Sequence, residues 1–279
     1  KFIKECRKLS TENMKLMNDD FIRLGIWMDF ENAYQSLKNE FIEGEWWLVK
    51  KAHENKRLYE GLRTMTWCSH CETALEKHEL EYETVEEDSI FLKFKIKDKP
   101  NEFLVIWTTT PWTIPFNLAV MVNPELDYVK AKVGNEIWIV AKGLAGAFIG
   151  GVASRDFTIL EEFKGNKLEG TMYEHPLYKD LKNIYDLLEK ESPKVHSVIL
   201  SSEYVDLSAG SGLVHCAPGC GPEDYEVGHR NGIKPFNNLS ERGEFPTEMG
   251  RFAGLIAKKD DKKYIEALEE AGALIATTK

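Results

Sequence analysis

Two stretches of this sequence gather side chains able to do chemistry. The first is Trp107-Thr108-Thr109-Thr110-Pro111-Trp112-Thr113-Ile114-Pro115. Consecutive hydroxyls close an apolar run there, and a threonine hydroxyl can bind an ester carbonyl, a ribose hydroxyl or an ordered water. Pro111 and Pro115 are expected to force an extended, rigid turn after the strand. A threonine-rich strand edge would read the same way, because threonine favours strands in any case. The second stretch is Gly210-Ser211-Gly212-Leu213-Val214-His215-Cys216-Ala217-Pro218-Gly219-Cys220-Gly221-Pro222-Glu223-Asp224. A strand is expected to deliver His215 to a Gly/Pro-rich loop whose backbone can approach a ligand closely. The loop then feeds a helix start that carries Asp224. Taken singly, His215 equally fits a hydrogen-bonded structural histidine, and Asp224 a first-turn acid complementing the helix dipole.

A third pattern, Cys68-x-x-Cys71, supplies two thiols at zinc-knuckle spacing. No second such pair follows, and the wider gap between Cys216 and Cys220 does not provide one. Two ligands do not make a tetrahedral site, so Cys68 and Cys71 are expected to be at most half of one. No Ser-His-Asp or Cys-His pattern calls for a covalent intermediate.

The elements that must position these groups fall into two textures. Up to about Tyr82 the reading is helical: Phe2, Cys6, Leu9, Leu16, Phe21 and Leu24 recur at helical spacing, and a second helix is expected from about Glu40 to Tyr59. Trp46 and Trp47 on that second helix read as buried core aromatics. Beyond Tyr82 strands dominate. Ile90, Leu92, Phe94 and Ile96 alternate with Lys93, Lys95 and Lys97, the mark of a half-buried strand. Phe103–Thr108 suits a strand buried on both sides, and Gly134-Asn135 joins Tyr128–Val133 to Ile137–Val140 as a hairpin. Val195–Leu200 and Gly212–Ala217 read as two more strands. Pro222 can open a helix that Gly232 stops, and Asp260 or Asp261 can cap one that ends at Gly272. The expected fold is α+β, mainly β, a β-barrel-like domain over 83–279 with a helical appendage over 1–82 that carries the Cys-x-x-Cys pair.

With 36 Lys+Arg against 46 Asp+Glu, the chain has a formal net charge of −10, which argues against an autonomous, charge-driven nucleic-acid binder. The odd number of cysteines, five, favours a reducing, cytoplasmic setting over a disulfide framework. No apolar run approaches the ~20 residues of a membrane-spanning helix. The opening at Lys1 in mid-helix pattern reads as a piece of something longer.

Together the two chemical segments resemble the editing domain inserted into the class I synthetases for isoleucine, valine and leucine. The forms WTTTPWT and GSGLVHCAPGCGPEDYEVG look like the isoleucyl branch, and further matches lie in WCSHCETALEKHELEY at 67–82, NLAVMVNPELDYV at 117–129 and GRFAGLIAKKD at 250–260. The His-Ile-Gly-His and Lys-Met-Ser-Lys-Ser segments that this class uses on ATP are absent, so the resemblance implies hydrolysis rather than amino-acid activation. The implied substrate is valyl-tRNA(Ile), with valyl-adenylate as a further candidate. The implied partners are the 3′ acceptor end of tRNA(Ile), its valine moiety and the rest of a parent synthetase, with no membrane. Isoleucyl-tRNA synthetase is the standard illustration of why editing is needed: one methylene is worth only ~1–3 kcal/mol in a hydrophobic pocket.

The resemblance also implies roles. Asp224 pairs with the substrate ammonium, and His215 blocks the extra methylene of isoleucine. Thr108, Thr109 and Thr110 bind the terminal adenosine and hold the water or carbonyl oxygen. Trp112 packs against the ligand. No cofactor is implied for editing, and the second Cys-x-x-Cys that completes a zinc site in relatives is missing. Cys220 stands where relatives often carry His or Phe and is given no role; Ser240 stands where many have Asp. The alternatives are an editing domain of valyl or leucyl type, or a non-catalytic module that docks the tRNA 3′ end.

Overall fold

The computed structural model describes all 279 residues. Contacts divide the chain into two compact units, Lys1–Gly61 and Leu62–Lys279. In the first, α1 spans Phe2–Arg23 and α2 spans Asn39–Glu54. Gly25, at φ +81°, ends α1 in a left-handed turn, with Ile26 N–H donating to the Phe21 carbonyl at 3.0 Å and Gly25 N–H to Ile22 at 2.9 Å. Neither helix buries a residue. Trp46 and Trp47 are 68% and 58% exposed, which overturns their reading as core aromatics. Helical spacing ensured that apolar side chains share a face, but nothing within this unit covers that face.

The helical texture stops at Glu54 rather than continuing to Tyr82. Residues after Gly61 instead form a small antiparallel hairpin, β1 (Trp67–Cys68) with β2 (Thr73–Ala74), followed by a 3₁₀ turn over Lys77–Glu79. Long-range hydrogen bonds tie this segment to the rest of the second unit: the Trp67 indole donates to the Glu241 carbonyl at 2.7 Å, and the Tyr225 hydroxyl to the Leu62 carbonyl.

The second unit is built on a mixed, ten-stranded sheet curled into a half-barrel, bearing out the mainly-β α+β expectation. Its strands are β3 (Ser89–Ile96), β4 (Glu102–Thr108), β5 (Ala119–Val122), β6 (Asp127–Val133), β7 (Glu136–Ala141), β8 (Thr158–Lys164), β9 (Tyr173–Glu174), β10 (Ser197–Leu200), β11 (Leu213–Cys216) and β12 (Leu274–Thr278). The main path runs β10-β5-β11-β4-β7-β6-β8, while β3 pairs β4 on one side and β12 and β9 on the other. Leu104, Val105 and Ile106 of β4 have no exposed surface, as a strand buried on both faces requires. Each such side chain contributes roughly 1.5–3 kcal/mol relative to exposure.

Helices α3 (Lys142–Ala145), α4 (Tyr178–Glu191), α5 (Pro222–Arg230) and α6 (Asp261–Glu270) complete the unit. Pro222 opens α5 and Gly232, at φ +72°, follows its end, as expected from sequence. The α6 boundary also agrees, but Asp260 does not cap it: its carboxylate instead accepts the Ile256 N–H at 2.8 Å. No helix is long and apolar enough to cross a membrane.

Candidate functional site

The sheet splays at β4, and the splay places the two chemical segments. The first residues of β4 run parallel to β7, with Glu102 opposite Ile137 and Leu104 opposite Ile139, whereas Trp107 near its end lies opposite Val214 of β11, again parallel. Between these partners the buried Val105 carbonyl has no ladder donor. The Ser211 hydroxyl supplies one at 2.6 Å, so the polar group lost to the splay is satisfied. Gly212 follows at φ +78°, with a Cβ there lying 2.2 Å from that of Ala141, so only glycine fits this crossing. Two parallel strands therefore deliver their carboxyl ends side by side, β4 leading to Thr109 and Thr110, β11 to Ala217 and the Gly/Pro loop.

After Thr110 the chain does not stay extended. Pro111–Phe116 winds into a 3₁₀ turn, because proline's fixed φ suits a first helical turn as well as an extended one. Thr110 itself, at φ −130° and ψ 72°, is held out of the helical region by the proline that follows. Thr108 is buried, and its hydroxyl oxygen accepts the Thr110 N–H at 3.0 Å. Thr109 is exposed and Thr110 half-buried, their hydroxyl oxygens 3.4 Å apart. Trp112 is half-buried and packs edge-on against Phe116, ring centroids 6.5 Å apart.

The link between the segments is a residue that sequence reasoning passed over, Thr113. Its hydroxyl donates to the Thr110 carbonyl at 2.8 Å and meets His215 Nε2 at 3.1 Å. A hydroxyl has one hydrogen. With that hydrogen on the carbonyl, the oxygen accepts from His215 Nε2–H, so the ring carries its proton on Nε2 and leaves Nδ1 bare. Nδ1 is buried without a partner. Burial lowers the His215 pKa to about 4, so the ring is neutral across the physiological range.

Asp224 lies in the first turn of α5, next to the end of β11. Burial pushes its carboxyl up to about 7; the Ala217 N–H pulls the other way, and Glu223 adds to the rise. A Cβ on Gly221 would sit 2.7 Å from Asp224 Oδ2, so this loop position stays clear for the carboxylate. Cys216 donates its thiol hydrogen to the Asp224 carbonyl at 3.5 Å. Burial first, and the Asp224 charge second, push the Cys216 and Cys220 thiols up, which keeps both protonated and poor nucleophiles.

Of the residues singled out from sequence, Thr108, Thr109, Thr110, His215 and Asp224 thus lie around two adjacent strand ends, with Trp112 on the turn between. Asp261 of α6 joins them unannounced: burial raises its carboxyl to about 6, against the pull of the Trp112 N–H. Only its place at a helix start marked it in the sequence. Of two surface cavities, of about 490 and 450 Å³, the first is lined by Pro111 of the turn and by Asp261, and the second by none of these residues. Cys68 and Cys71 stand apart on the hairpin, with the Cys71 N–H directed at Cys68 Sγ at 3.4 Å, and no group of three or more His, Cys, Asp or Glu side chains could hold a metal ion.

The chain is 44% identical to the isoleucine–tRNA ligase of Pyrococcus abyssi and 43% identical to that of Thermococcus kodakarensis, in each case over 98% of this chain and 26% of the relative. It therefore spans about a quarter of the length of these relatives. The crystal structure of a Plasmodium knowlesi (P.knowlesi) cytosolic leucyl-tRNA synthetase editing domain covers 68% of this chain and 96% of its own, at a TM-score of 0.46 and 13% identity. The profile of the tRNA synthetases class I (I, L, M and V) matches residues 1–265. The chain belongs to the class I tRNA synthetase family.

Proposed function

We propose that this chain is the proofreading module of an isoleucine-specific synthetase, hydrolysing valine mistakenly esterified to tRNA(Ile). The observation that carries the reading is the half-buried, desolvated carboxyl of Asp224 at the start of α5, just past the strand end that carries a neutral His215. A carboxylate held near neutrality by burial, with no cationic partner, is a receptor for a cation. Every aminoacyl ester carries one in its ammonium group. Pairing would lower the Asp224 pKa again and fix the ester carbonyl by orientation.

The remaining groups then divide the work. His215 is neutral and locked by Thr113, so it presents a rigid wall rather than a charge, and a rigid wall can reject one extra methylene. The exposed Thr109 and half-buried Thr110 hydroxyls, at the end of the adjacent strand, bind the terminal adenosine and hold the attacking water or the carbonyl oxygen. Thr108 shapes the strand end through its bond to the Thr110 N–H. An aminoacyl ester is already activated, so positioned water and oxyanion stabilisation suffice without a covalent intermediate. Valyl-adenylate carries the same ammonium and is a second candidate substrate. With a net charge of −10, this chain is expected to hold tRNA weakly, the phosphate contacts coming from the rest of the parent synthetase in the cytoplasm.

The test is deacylation by the 279-residue chain of valyl-tRNA(Ile), isoleucyl-tRNA(Ile) and mischarged valine and leucine tRNAs. Selective loss of valine from tRNA(Ile) supports the assignment. Preference for another mischarged tRNA would point to a valyl or leucyl module, and binding without turnover to a non-catalytic one.

A further inference from the structure

The turn that carries Thr113 is gripped from its buried side by side chains with no part in the chemistry above. Pro115 has no N–H, and the Leu118 N–H that could reach its carbonyl goes instead to Cys216 at 2.9 Å. The Pro115 carbonyl is thus without a backbone donor, and the Tyr185 hydroxyl fills the place at 2.9 Å. One residue earlier, His175 Nε2 lies 3.1 Å from the Ile114 carbonyl. The Leu177 N–H donates to His175 Nδ1 at 3.1 Å, which fixes the proton on Nε2 and makes that ring a donor to Ile114. Two residues later, the Tyr173 hydroxyl donates to Asn117 Oδ1 at 2.5 Å, while Asn117 Nδ2 donates to the Ala119 carbonyl at 2.8 Å. All of these side chains are buried, and the rings of His175 and Tyr185 pack at a tilt with centroids 4.6 Å apart. His196 closes the cluster edge-on to Tyr185 at 4.8 Å, its Nδ1 held 2.8 Å from Glu189.

We propose that Tyr173, His175 and Tyr185 are positioning residues for the editing reaction: they fix the Pro111–Phe116 turn, and through Thr113 they set the placement and tautomer of His215. Three donors converge on Ile114, Pro115 and Asn117, the residues that join the turn to β5. On β5, Val120 is the direct register partner of His215. Any slack in the turn therefore reaches His215 by two routes, the Thr113 hydroxyl and the β5–β11 pairing. A displacement of about 1 Å at a catalytic group can cost roughly a hundredfold in rate. Donors that hold this turn without touching substrate thus act on catalysis. The role in catalysis rests on the proofreading reading above; the hold on His215 does not.

The experiment compares Tyr185→Phe, which removes one hydroxyl from a packed ring, with His175→Leu and with His175→Gln, whose amide can still reach Ile114. The first readout is the ring-nitrogen NMR shifts of His215. The unaltered chain should show a protonated Nε2 and a bare Nδ1; Tyr185→Phe and His175→Leu should move both signals toward tautomer averaging, and His175→Gln should restore them. The second readout is valyl-tRNA(Ile) deacylation, where kcat should fall roughly tenfold with KM changing less than about twofold. Val129→Ala, a truncation in the separate core cluster around β6 and Phe148, serves as a control for lost stability. His215 signals unchanged in both loss variants, or displaced equally by Val129→Ala, would overturn the proposal. If the unaltered chain deacylates nothing, the proofreading reading fails, and the NMR shifts still decide whether the turn is what holds His215. Tyr173→Phe repeats the test should His175→Leu fail to fold.

Discussion

Two polar clusters meet the same turn, and they differ in how fully the groups near it are paired. Around Tyr185 and His175, the groups that grip the turn are paired: the Pro115 carbonyl, the Ile114 carbonyl and the Asn117 amide each have a partner, although His196 Nε2 in the same cluster is buried without one. Around His215 and Asp224 pairing is incomplete. His215 Nδ1 is buried without a partner, and burial lifts the Asp224 carboxyl to about 7 against the pull of the Ala217 N–H. Paired donors hold a turn in place, whereas unmatched groups at a strand end cost stability and persist where a ligand completes them. The difference separates the support from the site.

The sharpest way to break that comparison is Asp224→Asn. Deacylation should fall roughly 100- to 1,000-fold, as when a preorganised charge contact is lost. Stability should move the other way. An acid whose folded pKa is raised is favoured in its neutral form, so its contribution is fully present below its unfolded value of 3.8 and is lost as pH rises through about 7. The Asn variant escapes that loss: its melting temperature should exceed that of the unaltered protein above about pH 7, and the advantage should shrink toward pH 3.8. A variant both inactive and destabilised at high pH would place Asp224 in the support.

Next in size is His215→Ala, which opens the wall. Isoleucyl-tRNA(Ile) should become a substrate, narrowing discrimination by roughly 10- to 200-fold, the range one methylene allows. If correct product stays protected, His215 is no sieve. A smaller effect is expected from Ser211→Ala. It leaves the buried Val105 carbonyl unpaired at the splay, costing about 1–3 kcal/mol in denaturant unfolding, with the valine-to-isoleucine ratio retained.

The pH profile makes the subtlest distinction. kcat/KM should rise as Asp224 ionises through about 7, and it should show no limb from His215, whose pKa lies near 4. For stability His215 acts oppositely to Asp224. Its folded pKa is depressed, so its contribution is present above its ordinary value of 6.5 and is lost as pH falls toward 4.

Much of this was legible in the sequence because it follows from local rules. Period-two alternation placed Ile90, Leu92, Phe94 and Ile96 on one buried face, Gly134-Asn135 made its hairpin, and Pro222 and Gly232 bracketed α5. What failed was what depends on distant partners. Residue type marked Trp46 and Trp47 as core, but nothing within their unit covers them. Pro111 and Pro115 were compatible with an extended turn, and packing of Phe116 against Phe245, centroids 5.2 Å apart, accompanies a 3₁₀ turn instead. Within the site, Thr108 to Thr110, His215 and Asp224 stood out by residue type and motif. Thr113, Tyr185 and His175 did not, because their work is done through backbone carbonyls and a ring nitrogen lying up to 102 residues away, and no residue spacing records that.

The most direct measurement follows the Asp224 carboxyl by NMR titration, with and without a non-hydrolysable amide of valine and adenosine. Free, Asp224 should titrate near 7; with the valine compound bound, its ammonium should draw that value down toward the ordinary carboxylate range, and the isoleucine counterpart should leave it unmoved. An Asp224 that titrates alike in all three conditions would contradict the account.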